Sequence, residues 1–339
     1  MDAPDKLLII MFGAIGDIVR ALPLASRIKG SWPNTRIDWA VEPRSKGVLE
    51  SFPNVDRLVV FERGGGLKAY REFVSIIKAE EYPLVLDLQR HFKSGLTSYL
   101  TGASKRVGYN KKGSREFNHW FNNFHIPPVE KFSSKTKQLQ LFADLLGLPE
   151  EKELDFGFKN RKLDSDSKIL ELLQSATGEG FVAMLTGSTW TSRFWPKEYY
   201  SELIEKFYSE KNKVSVLIGG PGEQVYNQSI QDLVKTPEAV INLTGKTSLN
   251  DLPGLFKEMD FAVGSDSGPM HIAAASDLPV ISLWGATSPK RSAPWGSEHL
   301  VIASNLACSP CYKKDCPGLG TACMKGLRPE RVLKAVDNL

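Results

Sequence analysis

Gly264-Ser-Asp-Ser-Gly-Pro-Met-His271 follows the apolar run Phe261-Ala-Val263 and leads into the small-residue, helix-like stretch 272–276. A strand that ends in small polar residues and opens a helix leaves unpaired backbone N–H groups pointing out of the sheet. The helix dipole adds partial positive charge there, so such a turn suits an anion, most often a phosphate. Asp266, Ser267 and His271 bring side-chain donors and acceptors to the same spot. His271 either donates to that anion or packs on the helix face. The unit is strand–turn–helix, and the fold follows from finding it repeated.

Repeats lie on both sides. Leu7-Leu-Ile-Ile-Met11 is a fully apolar run of the kind found in parallel strands covered on both faces. It ends in Phe12-Gly-Ala-Ile-Gly-Asp17, and a helical pattern follows in which Pro23 is expected to begin or bend the regular helix. Further strand-like runs are 37–41, 57–61 and 84–88, with a helical stretch at 70–79. After a charged, aperiodic linker at 150–168 the alternation restarts with strands at 181–185, 214–218, 239–243, 261–263, 280–283 and 300–303. Helices are expected at 199–208, 225–234 and 249–256. Strictly alternating strands and helices predict an α/β protein with doubly wound parallel sheets. At 339 residues the chain exceeds what one core usually supports. Two such domains are expected, 1–160 and 161–339, with a cleft between them as the default site.

Composition narrows the class. Hydrophobic residues make up 42% and charged residues 24%, ordinary for a globular protein. A formal charge of +4 does not argue for a nucleic-acid partner, and no apolar run reaches the ~18 residues a membrane span needs. Leu7–Met11 is too short for a signal-peptide core, so a cytoplasmic location is expected. The Gly-x-x-Gly of the first loop lacks the dinucleotide spacing Gly-x-Gly-x-x-Gly.

Several side chains stand out. Asp17 reads equally as a helix N-cap and as a general base at a strand's carboxyl end, where open α/β sheets place their ligands. Thr186-Gly-Ser-Thr-Trp-Thr-Ser-Arg-Phe-Trp-Pro196 joins a strand to a helix. Ser188 and Thr189 can donate to phosphate oxygens there, and Arg193 can pair bidentately with a diphosphate. Trp195 and Pro196 read as structural. Glu223, in Gly219-Gly-Pro-Gly-Glu223, is placed to accept from ribose hydroxyls. From 102 to 137 there are eight Lys/Arg against two Glu, which suits an anionic acceptor or an anionic membrane surface.

Taken together these segments resemble glycosyltransferase family nine, the ADP-heptose lipopolysaccharide heptosyltransferases. Phe12-Gly-Ala-Ile-Gly-Asp-Ile-Val-Arg-Ala-Leu-Pro23 resembles the family's first loop, and Pro33-Asn-Thr-Arg-Ile-Asp-Trp-Ala-Val-Glu42 its second strand. Ser188-Thr189 with Arg193-Phe-Trp-Pro196 resembles the diphosphate loop, where the basic position is often Lys. The opening motif with Leu283-Trp-Gly-Ala-Thr-Ser-Pro289 resembles the nucleotide-sugar signature, usually written with Thr where this chain has Ser267. The resemblance implies a GT-B architecture, two Rossmann-like domains facing each other across a cleft. Acceptor would bind the N-terminal half and ADP-heptose the C-terminal half. It implies inverting, cofactor-independent transfer of heptose to a lipid A–Kdo or heptose acceptor. The work would be done at the inner face of the inner membrane, in peripheral contact with it. Asp17 matches the base. Ser188, Thr189, Arg193, Glu223, Asp266, Ser267, Gly268 and His271 match the donor site, with Arg20 and Lys93 as candidates for acceptor anions. Alternatives of other kinds are a related enzyme with a different sugar or acceptor, and a non-catalytic nucleotide-sugar-binding protein.

All four cysteines fall in one segment, Cys308, Cys311, Cys316 and Cys323, spaced C-x2-C-x4-C-x6-C. In a reducing compartment the leading reading is a structural tetrathiolate zinc or iron site, with free thiols and a disulfide as alternatives.

Overall fold

The computed structural model describes residues 1–50, 52–130, 132–164 and 167–339. It divides into two units, Met1–Phe158 and Lys159–Leu339. Ser165 and Asp166 of the expected linker, and Lys131 of the basic stretch, lie outside the described residues.

The first unit carries β1 (Lys6–Ile10), β2 (Arg36–Val41), β3 (Arg57–Val60), β4 (Leu84–Asp87), β5 (Lys105–Tyr109) and β6 (Phe124–Ile126). Its helices are α1 (Ile15–Ser31), α2 (Pro43–Lys46), α3 (Gly66–Ala79), α4 (Phe92–Leu100) and α5 (Lys135–Leu146). The strands run parallel in the order β3-β2-β1-β4-β5-β6. Leu7, Leu8, Ile9 and Ile10 are buried on both faces, as a covered parallel strand requires. Leu8 and Ile10 join Phe12, Phe61, Phe73 and Ile77 in one apolar cluster.

Two features differ from expectation. Helix α1 starts eight residues before Pro23 and continues past it. A mid-helix proline costs ~3 kcal/mol. Burial of Ile18, Val19, Leu22, Leu24, Ala25 and Ile28 outweighs that, at about 1.5–3 kcal/mol for each large apolar side chain. Strands β5 and β6 lie inside the stretch whose cations made it read as a basic surface; β5 opens with Lys105-Arg106 and β6 is three residues long.

The second unit repeats the plan. Its strands are β7 (Phe181–Leu185), β8 (Val214–Ile218), β9 (Val240–Asn242), β10 (Phe261–Ser265), β11 (Val280–Trp284) and β12 (Val301–Ala303). Its helices are α6 (Lys168–Gln174), α7 (Lys197–Lys211), α8 (Gln224–Gln231), α9 (Leu252–Phe256), α10 (Gly268–Ala275), α11 (Pro289–Ser292), α12 (Ala322–Lys325) and α13 (Pro329–Val336). The sheet is again parallel, β12-β11-β10-β7-β8-β9. Its core gathers Trp195, Tyr200, Phe207, Phe261, Ile281 and Leu283.

In each unit the first strand sits mid-sheet, so strand order reverses beside it, at β1/β4 and at β7/β10. Loops leaving the carboxyl ends of such a pair diverge and open a crevice, the ligand position of open α/β sheets. Among the described residues no helix is long and apolar enough to cross a membrane.

Candidate active site

The β1/β4 crevice of the first unit holds Asp17. Helix α1 is entered from Ala14, which occupies the N-cap and gives no side-chain bond; Asp17 lies within the first turn. Its carboxylate is therefore not the cap. Instead Oδ1 accepts from Arg20 Nη1 at 2.7 Å and from Lys135 Nζ, on α5, at 2.7 Å. The Asp17 side chain keeps 35% of its surface, while that of Arg20 is 8% exposed. Arg20, expected at the acceptor, is thus buried against the carboxylate and orients it. The loop before Asp17 is strapped across the switch point: Phe12 N donates to Gln89 Oε1 (2.6 Å) and Gln89 Nε2 donates to Gly13 O (2.8 Å).

Beyond β2, Glu42 lies 3.4 Å from both Arg44 and Arg63. Lys93, on the first turn of α4, sits 4.0 Å above the Phe61 ring. Burial, with the charge of Arg63 beside it, holds the Lys93 ammonium below its usual pKa. Arg44, Arg63 and Lys93 thus make a basic cluster at strand ends of this sheet.

The β7/β10 crevice of the second unit holds the opening motif. Ser267 is the N-cap of α10, and Pro269 stands at its start, where its missing N–H costs nothing. Ser267 Oγ and Ser265 Oγ are buried with no hydrogen-bond partner among the described residues. Arg193, in the 3-10 turn Thr191–Arg193, crosses the crevice. Its Nη1 lies 3.1 Å from Asp266 O and 3.2 Å from Asp266 Oδ2, and its guanidinium lies 4.0 Å over the Trp190 ring. Thr287 Oγ1 donates to the same Oδ2 at 2.7 Å. Three loops, after β7, β10 and β11, therefore meet at Asp266. Ser188 Oγ accepts from Trp190 N at 3.3 Å, and Thr189 is exposed beside it. His271 is buried in the first turn of α10.

Glu223 stands where β7 and β8 end. Its Oε2 accepts from Gly220 N at 2.7 Å, and its carboxylate lies so close to Gly187 that an added Cβ there would meet Oε1 at 1.7 Å. Burial pushes the Glu223 carboxyl above its usual pKa. Trp195 is fully buried and donates from Nε1 to Leu327 O at 2.6 Å, the structural part expected of it.

The sequence pattern of Glycosyltransferase family 9 (heptosyltransferase) matches residues 70–321, more than half of the chain. The chain belongs to this family. Among its relatives is the lipopolysaccharide core heptosyltransferase OpsX of Haemophilus influenzae, 26% identical over 315 residues, covering 89% of this chain and 85% of the relative. Lipopolysaccharide heptosyltransferase 1 of Pseudomonas aeruginosa is 25% identical over 329 residues, covering 92% and 87%. The solved structure of Escherichia coli heptosyltransferase WaaC with ADP superposes with a TM-score of 0.78 at 22% identity, over 98% of this chain and 99% of that one. The pair of parallel six-stranded sheets is accordingly the GT-B fold of the family, and the protein is a glycosyltransferase.

The metal site expected at the cysteines finds no support in the described residues. Among the described residues no group of three or more His, Cys, Asp or Glu is placed to hold a metal, and all four cysteines are free. The four thiols line one pocket with Gly285, Ala286 and Ser192 without closing on a centre. The segment's own bonds tie it to the loops after β7 and β11. Ser192 N donates to Lys314 O (3.1 Å), Ser192 Oγ to Lys313 O (2.7 Å), and Thr191 Oγ1 to Asp315 Oδ1 (2.6 Å). On the other side Ser309 Oγ donates to Gly285 O (2.5 Å) and Tyr312 N to Ala286 O (2.8 Å). Gly285 packs tightly there, since a Cβ would meet Met324 Sδ at 2.6 Å and Cys323 Sγ at 2.8 Å. Backbone N–H groups of Gly318, Thr321 and Leu319 lower the Cys316 thiol pKa, while burial raises that of Cys323. The segment acts as a strap holding the Arg193 and Thr287 loops.

Sequence reasoning missed Lys135 and Thr287. Thr287 lay within a quoted motif, whereas Lys135 is 118 residues from Asp17 and looked like one more surface cation.

Proposed function

We propose that this glycosyltransferase moves heptose from ADP-heptose to the inner core of lipopolysaccharide, with inversion at the anomeric carbon. One observation carries the reading: the chain matches lipopolysaccharide heptosyltransferases over most of its length and has a half-exposed carboxylate, Asp17, at the switch point of its first sheet. In the step, an acceptor sugar hydroxyl attacks the anomeric carbon, its proton passes to Asp17, and the bond from that carbon to the diphosphate oxygen breaks. A positioned general base is worth ~10²–10⁴-fold. Arg20 and Lys135 orient the carboxylate. Negative charge growing on departing ADP is met by Arg193, by Ser188 and Thr189, and by the N–H groups at Ser267 and Gly268.

Arg193 now bound to Asp266 would turn to the diphosphate, with Asp266 and Thr287 keeping its place. His271 and Glu223 shape the donor pocket from behind. Lys93 and its neighbours Arg44 and Arg63 are the acceptor's anion contacts. The acceptor, a Kdo-bearing lipid A, keeps the enzyme at the inner face of the inner membrane. Donor choice tests this reading by mass action: ligand at 100 times its Kd raises stability by ~2.7 kcal/mol. ADP should raise the melting temperature by several degrees, and UDP, GDP and NAD should not. Equal stabilisation by UDP would contradict an ADP-sugar donor.

A further inference from the structure

Six of the seven exposed aromatic side chains among the described residues fall between positions 92 and 132. Five of them, Phe92, Tyr99, Phe117, Trp120 and Phe124, stand on α4, the turn after β5, and the edge strand β6. Phe117 is 60% exposed and Trp120 69%, yet their rings stack at 4.6 Å with 25° between planes. Phe92 and Tyr99 flank the Phe121 ring at 5.2 and 6.3 Å.

The face is rigidly built. Helix α4 approaches the turn so closely that a Cβ on Gly95 would meet Phe121 Cδ2 and Asn118 Nδ2 at 2.8 Å. Asn118 Nδ2 donates to His91 O (3.0 Å), and Arg115 N donates to Arg90 O (2.8 Å). Beneath them Asn118 and Asn122 both donate to Asp87, a carboxylate buried at the end of β4. Phe117 itself holds a left-handed backbone (φ 59°), unusual for a bulky residue. Large rings held outward on a fixed plate mark an interaction surface.

Its charge says what covers it. Lys111, Lys112 and Arg115 are exposed beside the rings, and the field of Lys111 reaches His119, next to Trp120. Lys105 and Arg106 stand on neighbouring β5, with the Arg106 guanidinium 5.6 Å from the Tyr99 ring. The carboxylate in this turn, Glu116, is occupied by Phe92 N (3.1 Å) and His91 Nδ1 (3.3 Å). A second copy docking on the same patch would set these cations against each other. Aromatic rings that partition to the headgroup level, combined with lysine and arginine, are instead the two signals of anionic lipid surfaces.

We propose that the face formed by Phe92, Tyr99, Phe117, Trp120 and Phe124 with Lys111, Lys112 and Arg115 docks the protein on an anionic lipid bilayer. It deepens the reading that the acceptor is lipid-anchored, and its test contains no nucleotide sugar, so the two fail separately. Full-length protein is sedimented with vesicles of phosphatidylethanolamine and phosphatidylglycerol, or of phosphatidylcholine alone, at about 0.1 M and about 1 M salt, which shortens the Debye length to about 3 Å. Wild type should bind the phosphatidylglycerol vesicles and be released by high salt. Lys111→Ser and Lys112→Ser should each weaken binding about fivefold. The double variant Phe117→Ser/Trp120→Ser should lose about tenfold or more, with its melting temperature and its ADP-induced shift kept. Wild type that ignores the anionic vesicles, or a double variant that binds them undiminished, overturns the proposal. So does a dimer that this variant abolishes in place of vesicle binding.

Discussion

Gly187 leaves the space that the Glu223 carboxylate occupies in the second unit. The Glu223 carboxylate lies against its α-carbon, and a methyl group there would sit 1.7 Å from Oε1. Gly187→Ala should therefore cost roughly 1–3 kcal/mol of stability through overpacking, lower the melting temperature and weaken ADP binding. Adding Glu223→Ala should restore the melting temperature by removing the obstacle. A Gly187→Ala protein as stable as wild type would show that Glu223 is elsewhere. Asp17, Arg193 and Ser267 were legible because each stands in a strand–turn–helix unit whose geometry is fixed locally. For Asp17 the sequence left cap and base open. Ala14 at the N-cap removes the first, and Arg20 and Lys135 hold Oδ1 in place. Lys135 and the buried state of Arg20 arise from α1 packing on α5, a long-range event with no local signature.

At the scale of elements, the long apolar strands were legible and the polar ones were not. Strands β7 and β8 stand at their expected bounds, because continuous burial leaves a continuous apolar run. β6 hides because it is only three residues long at the sheet edge, and β5, second from that edge, because it opens on Lys105-Arg106. The start of β2 carries a polar hub. Arg36 binds buried Asp38 through Nε and Nη2, both at 3.0 Å, and Arg36 and Arg57 both donate to Glu80 at the end of α3. Those bonds hold the Glu80 carboxyl below its ordinary value of 4.5. A depressed folded-state pKa contributes stability that is present above 4.5 and lost as pH falls through the folded value. Glu80→Gln should thus melt below wild type at neutral pH, with the gap narrowing on the acid side of 4.5. A gap that stays constant through acid would contradict the hub. The cysteine strap shows the opposite limit of legibility. Its spacing was plain, but the loops it binds are set by tertiary bonds to Ser192, Gly285 and Ala286.

For the whole molecule, alternation of strands and helices gave the class, and the repeat of one plan gave two switch points, one per sheet. The first switch point carries a carboxylate, and the second an arginine with a helix N-terminus. The proposed reaction is heptosyl transfer with Asp17 as base. The most direct measurement incubates wild type and Asp17→Asn with ADP-heptose and Kdo–lipid A acceptors carrying no, one or two heptoses, and follows the product by mass. Wild type should add one heptose to one of these acceptors, and Asp17→Asn should transfer ~10²–10⁴-fold more slowly while keeping its stabilisation by ADP. Transfer to none of them by wild type, or transfer at the wild-type rate by Asp17→Asn, would contradict the account.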